Sequence, residues 1–194
     1  MEGPLPPLNA LEHKSEKPGL VSRAGRFLLS MVREIAETVL PALLIALVIN
    51  LLLAQATVVE GQSMEPTLHD HERVIVEKVS YRIHPPRRGD VVVIHNPNGE
   101  GLLIKRVVGL PGEEVSIQNG RVIIDGRPLD EPWSVHIGGA DFPPTSVPAD
   151  HVFVLGDNRP HSNDSRAFGP VPIGQILGRA WLIYWPPDQI GRVD

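Results

Sequence analysis

The spacing of hydrophobic positions changes once along the chain, near residue 58. From Thr38 to Ala54 the only residues that are not apolar are Thr38, Pro41 and Asn50, and weakly polar flanks carry the segment towards Val59. A run of that length predicts a membrane-spanning helix, since a span needs roughly 17 to 25 residues. Pro41 either starts the regular part of the helix or kinks it, and Asn50 needs a partner or an interfacial water. Beyond the run, apolar residues come in short β-branched stretches: Arg73 to Val79, Asp90 to His95 and Leu102 to Val108, punctuated by Pro and Gly. Val115 to Gln118 and Arg121 to Ile124 flank Asn119-Gly120, a strong hairpin signal, and Val152 to Leu155 and Ala180 to Trp185 add two strands. The predicted fold class is mainly β: a single N-terminal transmembrane helix, then an antiparallel β domain with a small β-hairpin excursion. From Glu131 to Pro148 the pattern dissolves into Pro, Gly and Asp, which reads as a long loop or a small excursion.

The boundaries follow from this pattern. Residues 1–24 carry Pro4, Pro6, Pro7, Pro18 and Gly19 among scattered charges and read as a disordered tail. Residues 25–57 read as the anchor helix and 58–194 as the β domain, with a smaller inserted region at about 112–150. A cleaved secretory signal would place its apolar region within roughly the first 15 to 30 residues, whereas this one begins later and runs longer, so a retained anchor is expected. Arg23, Arg26 and Arg33 precede the run, while Glu60, Glu65, Asp70 and Glu72 follow it before the first basic residue, Arg73. Positive charge stays on the cytoplasmic side, which puts the tail in the cytoplasm and the β domain outside, against the cytoplasmic membrane.

Composition removes several function classes. The net charge of −5 and pI near 5.9 argue against nucleic acid as a partner, which asks for a basic face. With no cysteine there is no disulfide, thiolate nucleophile or Cys-ligated metal. His69, His71, His84 and His95 lack a ligand spacing such as H-E-x-x-H, so no zinc site is expected.

Three polar stretches carry candidate chemistry. Ser63 stands between Gly61 and Pro66, where the backbone can turn sharply and expose a nucleophile; the alternative is an ordinary capped turn. Lys105 shares a strand face with Leu103 and Val107, and apolar cover there would lower its pKa until the amine can act as a base. A solvent-exposed edge lysine is the alternative. The third stretch, Gly156 to Gly169, packs Asp157, Arg159, Ser162, Asp164 and Arg166 between strands. It reads as a self-bonded polar loop that could also orient a lysine through Ser162.

Together these stretches resemble the bacterial type I signal peptidases. The serine motif is Gly61-Gln62-Ser63-Met64-Glu65-Pro66-Thr67-Leu68, and the lysine motif is Ile104-Lys105-Arg106-Val107-Val108-Gly109-Leu110-Pro111-Gly112. Arg88-Gly89-Asp90-Val91-Val92, the Gly156 to Arg166 run and Trp185-Pro186 extend the likeness over about Ile35 to Pro187. The resemblance implies a membrane-anchored Ser/Lys endopeptidase that removes signal peptides from exported preproteins after small-x-small sites, with no metal or organic cofactor. It implies Ser63 as nucleophile, Lys105 as general base, Ser162 as the serine that hydrogen-bonds the lysine, Asp164 with Arg166 as a structural ion pair, and Asp157 and Arg159 as further supports. Some relatives carry a serine two positions before the nucleophile that assists the oxyanion hole, whereas this chain has Gly61. Two other classes remain open on the residues alone, a self-cleaving repressor-type Ser/Lys protease and a non-catalytic anchored β scaffold. Ala54-Gln55-Ala56 has the small-x-small pattern itself, so slow self-cleavage after Ala56, between molecules, is an expectation as well.

Overall fold

Alternate side chains of a strand point to opposite faces, and the valine-rich runs of this chain have a core to fill on both. The computed structural model describes residues 20–133 and 135–193. In chain order these form α1 (Leu20–Val48), a π-helix (Ile49–Leu53), β1 (Ala54–Val58), β2 (Arg73–Glu77), α2 (Ser80–Ile83), β3 (Val91–His95), β4 (Leu102–Gly109), β5 (Glu114–Gln118), β6 (Arg121–Ile124), β7 (Arg127–Pro128), β8 (Phe142–Ser146), β9 (His151–Leu155), α3 (Ser165–Phe168), β10 (Val171–Pro172), β11 (Ile176–Trp185) and β12 (Gly191–Arg192). The chain divides into two units, one up to Ala46 and a body from Leu47 onward.

Within the body, one sheet runs β1-β2-β11-β3-β4-β9-β10, with β12 on β11, and a smaller one runs β7-β6-β5-β8. All pairs in both are antiparallel. β3 shows why the larger sheet is central. Val91 and Val93 enter one apolar cluster with Met64, Leu68, Val74 and Val76, while Val92 and Ile94 enter another with Val107, Val152 and Val154. The smaller sheet packs Val115, Ile117 and Val122 with Val108 and Phe153 in a third. At the β5–β6 turn Asn119 and Gly120 both take positive φ (50° and 75°), the conformation that a two-residue hairpin demands and that this dipeptide tolerates best.

The stretch from Glu131 to Pro148 holds β8, whose Thr145 and Phe142 pair with Val115 and Ile117. Two prolines and no alternation hide that strand in the sequence.

The N-terminal part differs from expectation at both ends. Residues 1–19 of the expected tail lie outside the described residues, and from Leu20 the chain is helical, so α1 begins ahead of residue 25. The α-helix ends at Val48, and Ala54 to Thr57, expected to finish the anchor, lie instead in the edge strand β1 (Ala54–Val58), paired over its whole length with β2. Among the described residues no helix is long and apolar enough to cross a membrane. The reason lies in the offset of the two patterns: α1 carries Arg33, Glu34 and Glu37 before the apolar run starts, and the run continues past its end into the π-helix. Because Ala54 and Ala56 are held opposite Glu77 and Ile75, self-cleavage after Ala56 would first require β1 to leave β2.

Candidate active site

The loop from Val59 to Glu72 is fixed from below and open above. Met64 and Leu68 are buried in the core, and Leu68 donates its amide to the Met64 carbonyl at 2.9 Å. Val59 and Glu72 close the base of the loop, with the Val59 amide 2.8 Å from the Glu72 carbonyl. Gly61 sits at φ +82°, a region L side chains rarely adopt, and donates its N–H to Asp70 Oδ1 at 2.8 Å. The Ser63 and Gln62 carbonyls accept from Asn158, from its amide and side chain respectively, each at 3.1 Å. Ser63 is thereby held half-buried on a turn tied down on both sides.

Lys105 lies in β4 opposite Val92 of β3 and is only 2% exposed. Its Nζ donates to Ser63 Oγ at 2.8 Å and to the Ile104 carbonyl at 2.8 Å. Burial pulls the amine down from its ordinary 10.5 to about 8, while the carboxylates of Asp164 and Asp157 oppose the shift. At pH 7 about one tenth of such a lysine is neutral, so a lone pair is available beside the serine hydroxyl. A hydroxyl on a fixed turn next to a desolvated amine is an arrangement that can transfer a proton and attack a carbonyl.

The Gly156 to Gly169 stretch surrounds this pair. Asp164 accepts from Arg166 Nε and Nη2, both at 2.8 Å, and from the Gly156 amide at 3.1 Å. Asp157 is fully buried and receives Arg106 Nε at 2.9 Å and Nη2 at 2.7 Å, with the Thr67 hydroxyl at 2.6 Å. Arg159 pairs with Glu131 and donates to the Gly156 carbonyl at 3.0 Å. Ser162 departs from the expectation. Its hydroxyl is buried beside Gly156 and forms no hydrogen bond among the described residues, to Lys105 or to anything else. The lysine donates instead to Ser63 and Ile104, so the loop acts on it here through charge and cover.

Reading the sequence alone misses Arg106, Thr67, Glu131 and Asn158. Arg106 carries a usable signal. Alternation puts it with Ile104 and Val108 on an apolar face, and an arginine there needs a buried carboxylate. In the structure Arg106 also donates to the Gly89 carbonyl at 2.9 Å and lies 4.9 Å from the centre of the Trp133 ring. Glu131 carries no such signal, because it sits in a stretch without periodicity.

A cleft of about 490 Å³ opens at Ser63 and Lys105, lined on one side by Ala56 to Glu60 and on the other by Gly101 to Lys105. Its walls are two strand edges. β1 ends the sheet, and β4 pairs with β9 only from Arg106 onward, so Leu102 to Lys105 have a partner strand on one side only. An extended peptide laid between them would find backbone groups on both flanks.

Comparison with known proteins gives the family of the chain. The family described as signal peptidase, peptidase S26, matches residues 32–185. The chain belongs to this family. A signal peptidase I of Leptolyngbya laminosa is 42% identical over 172 residues, covering 84% of this chain and 85% of its own. A signal peptidase I of Bacillus amyloliquefaciens is 36% identical over 174 residues, covering 84% of this chain and 93% of its own. The crystal structure of a signal peptidase I from Enterococcus faecalis is 32% identical and covers 50% of this chain and 97% of its own, with a TM-score of 0.45. As a member of the family the chain is a serine endopeptidase, and signal-peptide removal is its reaction.

Proposed function

We propose that Ser63 and Lys105 carry this reaction as nucleophile and general base. The observation behind it is the 2.8 Å contact between Lys105 Nζ and Ser63 Oγ, made by a lysine that burial brings to about 8. In the first step neutral Lys105 takes the Ser63 proton as Oγ attacks the scissile carbonyl, and the resulting ammonium returns that proton to the leaving amine. Water, deprotonated by the same amine, then releases the acyl group. The Ser63 amide is the donor this mechanism assigns to the developing oxyanion. The Gly61 amide is occupied by Asp70, which leaves it no donor role without loop movement.

The substrate is the extended segment before the mature N-terminus of an exported preprotein, paired along the two open strand edges. The apolar residues from Thr38 to Leu53 seat the chain in the cytoplasmic membrane. Leu40, Leu43, Leu44, Ile45 and Leu47 are all exposed, which favours a lipid surrounding over a packed protein one. The arginines ahead of the run place the N-terminus in the cytoplasm and the β body outside. Incubating the detergent-solubilised protein with a preprotein tests the whole reading. A mature product cut after a small-x-small site is expected, and an uncut preprotein would contradict it.

The lysine sets the pH dependence. The active form is the neutral one, and its pKa is depressed, so kcat/KM rises about tenfold per unit below about 8 and levels above it. Leu103→Ser or Val107→Ser admits water to the lysine's face, weakens the desolvation that lowers its pKa, and so moves the acidic limb to higher pH. A limb unmoved in both variants would remove desolvation as the cause.

A further inference from the structure

The cleft is nearly free of charge. Among the described residues that line it the only ionisable side chains are Lys105, at the chemistry, and Glu60. Glu60 lies three residues before Ser63 on the segment that leaves β1, where Val58 is 45% exposed and Val59 only 2%. The alternation that sends Val59 into the core turns Glu60 out on the side of Val58, another lining residue. Of the other acids of this loop Glu65 lines no part of the cleft, and Asp70 and Glu72 are already engaged. Asp70 accepts the Gly61 amide and stands 3.4 Å from His71, and Glu72 accepts the His69 amide at 3.0 Å. Glu60 forms no ion pair or side-chain hydrogen bond among the described residues.

We propose that Glu60 is a specificity-determining residue, selecting substrates with a lysine or arginine beside the cut and disfavouring those with a carboxylate there. The proposal rests on the signal-peptide reading above. A peptide seated between the two edges displaces water from around Glu60, so a cation brought there gains a partner and an anion meets repulsion in a medium less screening than bulk solvent. The residue selected is one that the small-x-small pattern leaves unrestricted: the second before the cut, or the first or second after it.

The test is a set of fluorogenic peptides of one sequence, bearing Lys, Gln or Glu singly at each of those three positions. They are cleaved by the detergent-solubilised full chain as wild type, Glu60→Gln, Glu60→Lys and Glu114→Gln. Glu114 is exposed on β5 and lines no part of the cleft, so its variant matches the change in net charge alone. At one position the wild-type ratio of kcat/KM for Lys over Glu is expected to be about three- to tenfold, the scale of a partly screened attraction in one peptide set against a like repulsion in the other. It should fall to near one in Glu60→Gln, invert in Glu60→Lys, stay unchanged in Glu114→Gln and shrink in high salt. A wild-type ratio near one at all three positions, a ratio that survives Glu60→Gln, or an equal loss in Glu114→Gln would overturn the proposal. Gln peptides left uncut by the wild type would instead overturn the peptidase reading, and this inference with it.

Discussion

Ser63→Ala and Lys105→Ala are each expected to slow preprotein processing by on the order of 10⁴-fold or more, with the double variant no slower than the slower single one. The non-additivity follows from the geometry. Lys105 Nζ reaches Ser63 Oγ at 2.8 Å, so removing either group leaves the other with nothing to do. Without the amine the hydroxyl must shed its proton to water, and without the hydroxyl the amine has no nucleophile to activate. The fold should survive Ser63→Ala, because the loop is held by Met64, Leu68 and the contacts to Asn158 rather than by the serine side chain. Lys105→Met is the sharper control at the second position, since it keeps most of the volume while deleting the amine. Near-normal turnover in Lys105→Met would sink the assignment of the base.

Asp157→Ala is expected to destabilise the body by about 3 to 5 kcal/mol, the range for removing one partner of a buried ion pair. Asp157 is 0% exposed and Arg106 1%, and the carboxylate receives both Arg106 Nε and Nη2 as well as the Thr67 hydroxyl. Its loss takes from the buried guanidinium the carboxylate that receives both Nε and Nη2, while its contacts to the Gly89 carbonyl, the Thr67 hydroxyl and the Trp133 ring stay in place. Activity should fall with stability, because Arg106 adjoins Lys105 in β4 and Asn158, next to Asp157, holds the Ser63 carbonyl. Replacing both partners, as Arg106→Met with Asp157→Leu, should be milder than Asp157→Ala alone, since the buried positive charge is removed together with its carboxylate. Urea unfolding of the solubilised variants measures both. A loss below about 1 kcal/mol in Asp157→Ala would show that water or another group replaces the carboxylate.

The strands were legible where alternation and punctuation agreed. Val91 to His95 and Leu102 to Gly109 announce themselves by β-branched residues between Pro and Gly, and Asn119-Gly120 marks its hairpin because few dipeptides accept two positive φ angles. β1 was not legible. Ala54 to Val58 is apolar enough to continue the run before it, and only its pairing with β2, a contact made across the loop of residues 59–72, draws it into the sheet. β8 was hidden for the opposite reason, its prolines looking like pure loop.

The site divides the same way. Ser63 and Lys105 stood out because their flanking residues restrict the backbone and suggest cover, and the structure brings the two within hydrogen-bonding distance. The polar loop was recognisable as self-bonded, yet its strongest links run outward, Asp157 to Arg106 and Arg159 to Glu131. Such partners are distant in sequence, and charge alone does not say which acid meets which base. Ser162 shows the limit of carrying a role across by motif: its place in the loop is as expected, but its hydroxyl does not reach the lysine.

The central claim is that Ser63 Oγ becomes acylated during cleavage. Its most direct test is to mix the solubilised enzyme with excess preprotein, quench in acid during turnover and map the tryptic peptides by mass. An ester of the signal-peptide fragment on the peptide containing Ser63 is expected in the wild type, with none in Ser63→Ala and no processing by that variant. Processing by Ser63→Ala at the wild-type rate, or an acyl group carried on any other residue, would contradict it.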